Sequence, residues 1–329
     1  MVKHLSKICI MVCFSILANN IRAQDSTIRH AIRLSVDNDF LNFRMSGTDR
    51  YFTNGVKIDY YYQSSARRFP ASLLLSINND RYRNTYGLGL AQFMFTPFRI
   101  TEKEIQYGDR PYAGALYGIY SLQSIDEQNK LKLYSEIYFG VIGPLSFADK
   151  TQTMVHRLLD YDIPEGWSNQ LSNDIILNYN INAEKVILRP SKNILVSGIA
   201  ETFSGTLYNG AGVGFIMKVG KFENPFDIMS INTDASGNKL KIFVFMQPTV
   251  RVILSNALLQ GGIISKIRQY DRGYFIEKDK IKRVGALYDV GLALGYRKIS
   301  FQLAQKMRTP EFEGQNSQEI GNIRFQFVF

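Results

Sequence analysis

One histidine and a small set of polar side chains could together hydrolyse an ester. His156 lies four residues after Gln152, so both side chains project from one face if this segment is a helix. Asn38, Asp39 and Thr53 supply an amide, a carboxylate and a hydroxyl. An imidazole base surrounded by such groups is sufficient for attack of water on an ester carbonyl. A histidine on a helix is more often structural, so the hypothesis depends on elements that bring these five residues together.

The other histidines and both cysteines lie away from these residues in the sequence. His30 begins a predicted strand, has no acidic cluster beside it, and is interpreted as an interfacial residue. Cys9 and Cys13 fall inside a predicted signal peptide, whose cleavage would leave no cysteine in the exported chain. Disulfides, thiolate metal sites and a cysteine nucleophile are therefore excluded.

Residues 1–23 are expected to be a cleaved signal peptide. Basic residues precede an apolar run from Ile8 to Ala18, and the small Ala23 suits the cleavage position. The run is too short to span a bilayer, which disfavours the alternative, a membrane anchor. Lipidation of Cys13 is disfavoured because the preceding Ile-Met-Val lacks the usual small residues. The mature domain is then expected to comprise residues 24–329.

The chain is basic, with 39 Lys and Arg against 29 Asp and Glu and a formal net charge of +10. In an exported protein such an excess indicates an anionic partner, and nucleic acid is not expected in that compartment. Phosphorylated lipid head groups are the natural candidate. A solvated surface rich in lysine is the alternative that charge alone leaves open.

Alternation of apolar and polar residues at period two is widespread, and the last segment shows it best. One face of residues 322–329 carries three phenylalanines, and the other carries Asn322, Arg324 and Gln326. In water such an apolar row would favour aggregation, whereas in lipid it is the required outer surface of a barrel. An aromatic residue at the end of such a strand is typical of outer-membrane barrels. The alternative is a soluble β-sandwich.

We therefore predict an all-β fold, an antiparallel transmembrane β-barrel of about twelve strands, in a single domain. The 19 tyrosines and 22 phenylalanines suit aromatic girdles at the two interfaces. Region 204–262 defines its strands least well. The predicted strands are 28–37, 55–62, 82–93, 112–123, 131–141, 174–182, 194–203, 211–221, 239–251, 284–295, 298–307 and 322–329.

An even number of strands places both termini inside and the loops 40–50, 94–111 and 142–173 outside. A loop as long as 142–173 is unusual without a function. Ser146 followed by Asp149 resembles a capping box, and the helical spacing of the following apolar residues predicts a short helix in this extracellular loop. These apolar residues are Met154, Val155, Leu158 and Leu159.

The polar residues then converge on the outer end of the barrel. Asn38 and Asp39 point to opposite faces of a regular strand, so they can serve one site only if the first strand ends or bulges there.

At these residues the chain resembles the calcium-dependent outer-membrane lipid A 3-O-deacylases. The resemblance spans residues 38 to 170, and the second half of the chain matches only in barrel pattern and length. The matching segments occur in the family's order. They are Asn38-Asp39-Phe40, Asp49-Arg50-Tyr51-Phe52-Thr53-Asn54-Gly55, Thr96-Pro97, Asp109-Arg110-Pro111-Tyr112-Ala113-Gly114, Gly143-Pro144, Gln152 with His156, and Gly166-Trp167 with Gln170.

The resemblance implies a twelve-stranded barrel that removes the acyl or acyloxyacyl chain ester-linked at a 3-position of lipid A. It implies His156 as the base, a site formed by Asn38, Asp39 and Thr53, and a supporting Gln152. Thr53 is expected to donate a hydrogen bond, with an acyl-enzyme on its hydroxyl as the alternative.

The resemblance also implies a Ca²⁺ ion that polarises the ester carbonyl and stabilises the oxyanion. Asp39 is expected to ligate the ion or to orient the imidazole. The family uses an acid shortly after the histidine, and Asp160, Asp162 and Glu165 all lie in that window. Among these we take Asp162 and Glu165 as the candidate calcium ligands.

Arg110 and Asp109 are expected to bind substrate, with the Arg110 guanidinium pairing with a lipid A phosphate. The alternative for Arg110 is a structural salt bridge with Asp109 or another acid.

The expected location is the outer membrane of a Gram-negative bacterium, with the site facing the outer leaflet. Expected partners are lipid A or lipopolysaccharide and outer-membrane lipid, and the protein is expected to act as a monomer. Two other functions remain open. An outer-membrane phospholipase would need a serine beside the histidine on the barrel wall, and the position of His156 in a loop helix disfavours it. A porin or structural barrel that binds lipopolysaccharide is non-enzymatic, and twelve strands are narrow for a general pore.

Overall fold

The structure is a computed structural model that describes residues 30–41, 51–64, 70–77, 82–222, 224–226, 240–267 and 273–329. The predicted signal peptide 1–23, and Asp49 and Arg50 of the resemblance, lie outside these residues. Within them, twelve antiparallel strands close into one barrel in chain order, and the first strand pairs with the last. The predicted fold class is therefore confirmed.

The strands span most of the described chain. They are β1 (His30–Asn38), β2 (Asn54–Gln63), β3 (Tyr82–Phe95), β4 (Ala113–Asp126), β5 (Leu131–Ile142), β6 (Asp174–Ser191), β7 (Ile194–Gly205), β8 (Tyr208–Lys221), β9 (Lys241–Asn256), β10 (Val284–Tyr296), β11 (Ile299–Arg308) and β12 (Gln318–Val328). Region 204–262, the least defined in sequence, contains β8 and β9. Strands β6 and β9 extend beyond the predicted 174–182 and 239–251 because their barrel pairings continue past those ends.

Helices are few and short. They are α1 (Ala148–Leu159), α2 (Ala257–Gln260) and α3 (Ile263–Ile267), together with 3-10 turns at Asp39–Leu41, Ala71–Leu73, Pro144–Ser146, Gly166–Asn169 and Lys278–Lys280. No helix in the described ranges is long and apolar enough to cross a membrane.

Helix α1 confirms the predicted helix in the long loop, but the predicted capping box is wrong. The residue before the helix is Phe147, in the left-handed conformation and without a side-chain cap. Ser146 instead closes the preceding 3-10 turn, where its hydroxyl donates to the Gly143 carbonyl at 2.6 Å. Because Ser146 is part of the turn Pro144–Ser146 and its hydroxyl is bonded there, it does not cap α1.

The outer and inner sides of the barrel wall differ in the exposure of their side chains. On β3, Leu88 and Leu90 face outward and are about half exposed (50% and 57%), whereas Ala91 is buried inside. The lumen holds an apolar cluster that includes Phe52 and Leu258. It also contains a polar cavity of about 600 Å³.

Six neighbouring strands meet at the part of one barrel end that we call the upper rim. Strands β1, β3 and β5 end there, and β2, β4 and β6 begin there. His30 lies at the opposite end, where its ring stacks on Tyr60 and Phe329, in agreement with an interfacial position. The upper rim carries the residues that the sequence singled out.

Candidate active site at the upper rim

Strand β1 ends between the two candidate residues Asn38 and Asp39. Its last residue is Asn38, and Asp39 begins a 3-10 turn, so the alternation of a regular strand no longer separates the two side chains. The Asn38 amide donates to the backbone carbonyl of Thr53 at 3.0 Å, which ties the end of β1 to the segment before β2. The Asp39 side chain is buried at this junction.

The Thr53 hydroxyl has a second hydroxyl as its partner. Its Oγ1 lies 2.8 Å from Oγ1 of Thr96, and both residues are buried. The backbone amide of Thr53 also donates to the Met94 carbonyl at 3.1 Å. These contacts hold Thr53 against the end of β3, and they explain why a threonine follows β3 at position 96.

Helix α1 packs against the outer side of the barrel wall. Ala113 and Ala115 of β4 belong to the lumen cluster, so Gly114 between them faces outward. A Cβ atom on Gly114 would lie 2.1 Å from Ser146 Oγ and 2.5 Å from Ala148 Cβ. The glycine therefore permits the close approach of the helix to the wall.

Two outward-facing residues of β3 complete the contact between α1 and the wall. We call this contact the seam; it is formed by Gln92, Met94 and Gly114 of the wall and by Ser146 and Ala148 at the start of the helix. The amide of Gln92 donates to the Ser146 carbonyl at 2.7 Å. Met94, which pairs with Gly114 across the sheet, packs in a cluster with Ala148 and Trp167. The seam is thus on the lipid side of the wall, whereas the lumen cavity lies on the other side.

The buried face of α1 presents Gln152 and His156 to the seam. Trp167 donates its indole N–H to Oε1 of Gln152 at 2.7 Å and packs on Tyr112, with ring centroids 4.9 Å apart. Gly166 leaves room for this packing, since a Cβ there would lie 2.4 Å from Cε2 of Tyr112. Nε2 of Gln152 is buried and has no hydrogen-bond partner among the described residues, so this donor remains available to a ligand in the seam.

His156 is buried, and one ring nitrogen is fixed by the backbone. Its Nδ1 lies 2.5 Å from the carbonyl oxygen of Asp162. A carbonyl can only accept, so Nδ1 carries the hydrogen and the lone pair of the neutral ring is on Nε2. Tyr161 lies edge-on to the imidazole, with ring centroids 6.0 Å apart. This arrangement orients the histidine as a base without using the Asp162 carboxylate.

The acids predicted to bind calcium do not gather in one cluster. Asp39 is buried at the end of β1, whereas Asp162 and Glu165 are exposed in the loop after α1. Asp160 ends α1 in the left-handed conformation with φ 57°. In the described part of the chain, no group of three or more His, Cys, Asp or Glu side chains is placed to hold a metal ion. The described residues thus show no acid cluster for the expected ion, so its ligands stay a prediction and no catalytic step is derived through calcium.

Arg110 forms a salt bridge with an acid, which is the structural alternative that the sequence left open. Its guanidinium is 1% exposed, donates to Oε2 of Glu311 at 2.5 Å, and lies 4.3 Å from the ring centroid of Phe95. Asp109 accepts hydrogen bonds from the backbone of Phe98 and Arg110 at 2.8 and 2.7 Å. Both residues therefore have intramolecular partners: Asp109 within its own loop between β3 and β4, and Arg110 in the loop between β11 and β12.

The ion pair also determines the ionisation of its acid. Burial raises the pKa of Glu311, but the charge and hydrogen bond of Arg110, with the charges of Arg308 and Arg251, outweigh it and hold the pKa below its usual value. Glu311 is therefore an ionised carboxylate that keeps Arg110 in place.

Sequence reasoning missed two residues of this region. Gln92 interrupts an outward row of Leu88, Leu90 and Met94, and a polar residue in a lipid-facing row is a signal that something covers it. Glu311 had no such signal, because it lies 201 residues from its partner Arg110.

These observations define a class of protein, an outer-membrane β-barrel whose outer wall carries a polar, helix-covered candidate active site at one rim. The chain belongs to the family described as outer membrane protein LpxR, whose sequence model matches residues 8–329. It is accordingly a protein of the Gram-negative outer membrane.

The comparison with solved structures concerns the fold. The chain is similar to LpxR from Salmonella typhimurium, with a TM-score of 0.71 and 19% identity over 91% of this chain and 100% of that chain, which shows a shared fold. The β-domain of the Bordetella autotransporter BrkA matches with a TM-score of 0.42 and 6% identity over 91% of this chain and 98% of that chain. No curated protein sequence matches the chain.

Proposed function

We propose that this protein is a hydrolase that removes the acyl or acyloxyacyl chain ester-linked at a 3-position of lipid A. The observation that carries the proposal is the position of His156, buried in the seam between α1 and the outer wall. An ester reaches this position from the lipid side, because Leu88 and Leu90 lie on the same face of β3 below the seam. Membership of the LpxR family supports the same conclusion.

In the proposed reaction, Nε2 of His156 takes a proton from water and the water oxygen attacks the ester carbonyl. The developing imidazolium is stabilised by the Asp162 carbonyl, which accepts from Nδ1. The tetrahedral intermediate then expels the sugar oxygen, to which His156 returns the proton. The products are a free fatty acid and a sugar hydroxyl.

The amide of Gln152 is the first candidate to stabilise the oxyanion. Its Nε2 is buried and has no partner among the described residues, and the indole of Trp167 fixes the other end of the amide through Oε1. A donor held in this way needs little reorganisation as charge develops on the carbonyl oxygen.

Water is favoured over Thr53 as the nucleophile. The Thr53 hydroxyl is hydrogen-bonded to Thr96, and no described contact joins it to His156. A threonine nucleophile needs its base within hydrogen-bond reach. We assign Thr53 to the support of the site.

The calcium requirement stays a prediction from the family resemblance. We expect chelation to abolish deacylation by the purified protein and added Ca²⁺ to restore it, because carboxylate oxygens are the ligands this ion prefers. Variants Asp39→Asn, Asp162→Asn and Glu165→Gln identify the ligands, since loss of a charged ligand should raise the Ca²⁺ concentration for half-maximal activity by about tenfold. Full activity in the presence of chelator would remove calcium from the proposal.

The proposed reaction is tested by mass spectra of lipid A from cells that express the protein and from cells that lack it. We expect loss of one 3-position acyl or acyloxyacyl group only in the expressing cells. Phospholipids from the same cells, measured in parallel, test the alternative of a phospholipase, which would release fatty acid from them instead. Unchanged spectra in both lipid classes would support a non-enzymatic barrel.

A further inference from the structure

Helix α1 has three faces, where an ordinary surface helix has two. At about 100° per residue, the buried residues Ala148, Gln152 and His156 fall within about 80° of one another. The polar residues Asp149, Lys150, Thr153 and Arg157 occupy the next part of the circumference. The remaining part, about 100° wide, also includes Thr151, whose hydroxyl donates to the backbone carbonyl of Phe147 at 3.1 Å. Its large apolar residues are Met154, Val155 and Leu158. We call these three residues the outer apolar face.

The outer apolar face is not covered by the described part of the chain. Met154 is 64% exposed, Val155 39% and Leu158 70%. Leu145 and Phe147, just before the helix, are about half exposed as well. A contiguous group of large apolar side chains on one side of a helix is the mark of a surface that meets another apolar phase.

This apolar surface continues into the lipid-facing wall. The backbone amide of Leu145 donates to the side chain of Asn173 at 2.8 Å, which places it next to the start of β6. There Ile175 and Leu177 face outward and are about half exposed, and Phe139 on β5, the partner of Leu177, is 74% exposed. The helix itself packs on the outside of β3 and β4. The outer apolar face is thus an extension of the barrel's lipid-contacting surface at its upper end.

The charges beside this face suit a phosphorylated lipid surface. Lys150 and Arg157 lie on the polar face, and Nζ of Lys150 is 5.1 Å from the ring centroid of Phe147. Long basic side chains in such positions keep their stems along apolar surface while the charged ends reach lipid phosphates.

We propose that α1 is an interfacial helix: its outer apolar face lies among the acyl chains of the outer leaflet, and Lys150 and Arg157 meet the phosphorylated head groups. Because His156 is on the same helix, this contact sets the depth of the imidazole at the level where lipid esters lie. The role in positioning the base rests on the proposed function, whereas the insertion of the helix does not.

The test measures depth with a fluorescent label. The chain carries one added cysteine, labelled with an environment-sensitive dye, and is inserted into phosphatidylcholine vesicles with phosphatidylglycerol. Cys9→Ser and Cys13→Ser ensure that an uncleaved signal peptide adds no further thiol. For Leu158→Cys we expect blue-shifted emission, quenching by lipids brominated on their acyl chains, and protection from iodide in the water. Leu88→Cys, on the exposed wall of β3, is the reference for full lipid contact.

Thr153→Cys, on the polar face of the same helix, is the matched control and should be quenched by iodide and not by brominated lipid. If Leu158→Cys and Thr153→Cys are quenched equally by iodide, α1 lies in water and the proposal is wrong. If the Leu158→Cys label is quenched by brominated lipid but the unlabelled wild-type protein does not hydrolyse lipid A, the insertion of α1 is supported and the proposed function is wrong. Omission of phosphatidylglycerol should move the Leu158 label toward water, because the attraction of Lys150 and Arg157 is then lost.

Discussion

Replacement of His156 by alanine is expected to lower the rate of lipid A deacylation by about 10²- to 10⁴-fold, the usual contribution of a general base. The imidazole is buried in the seam and is held at Nδ1 by the Asp162 carbonyl, which orients it as the base of the proposed reaction. The measurement is release of fatty acid from lipid A in mixed micelles by the purified barrel, at saturating substrate. Alanine leaves the helix intact, since it is a strong helix former.

His30→Ala is the matched control for this variant. His30 lies at the opposite end of the barrel, stacked on Tyr60 and Phe329, and its loss should leave the deacylation rate unchanged. Folding of both variants is monitored by the mobility of unheated samples in detergent gels. A folded His156→Ala protein that retains wild-type activity would show that another group is the base.

Substitution of Gly114 by valine is expected to lower activity by about 10²-fold while the barrel still folds. The added Cβ would meet Ser146 and Ala148 at 2.1 and 2.5 Å, so the start of α1 has to move away from the wall. A displacement of about 1 Å at a catalytic group is enough for a loss of this size. The chain has a single tryptophan, Trp167, which packs at the seam, so its emission should shift to longer wavelength as the seam opens.

Gly118→Val provides the comparison. Gly118 lies on the same outward face of β4, four residues or about 13 Å along the strand from Gly114, and the nearest atom to its added Cβ would be 3.8 Å away. This variant should keep both activity and Trp167 emission. Equal effects of the two substitutions would mean that valine perturbs β4 itself, and would contradict a role for the seam in activity.

The barrel is predictable from sequence because lipid acts on each strand separately. A strand such as β12 must present apolar residues to lipid at every second position, whatever its neighbours are, so the pattern is visible in a segment of ten residues. The ends of β1 and β2 at Asn38 and Asn54 follow from the same pattern, since alternation stops there.

The side of the wall on which α1 packs is not predictable in this way. It depends on Gly114, Gln92 and Met94 facing outward together, and this requires the register between β3 and β4. The pair Arg110–Glu311 is hidden for a similar reason, because its members meet only after the barrel closes. The contact that orients His156 cannot be predicted from residue types. It is made by the backbone carbonyl of residue 162, which any amino acid at that position would provide.

The position of α1 on the outside of the wall has a kinetic consequence. A substrate that reaches His156 from the membrane travels by two-dimensional diffusion within the leaflet and never passes through bulk water. The rate at which the enzyme meets its substrate then depends on the mole fraction of lipid A in the leaflet. Dilution of the leaflet with inert lipid should therefore lower the reaction rate, even when the total amount of lipid A is unchanged. The same geometry gives the lumen no part in turnover, so substitutions that fill the barrel interior should leave the deacylation rate unchanged.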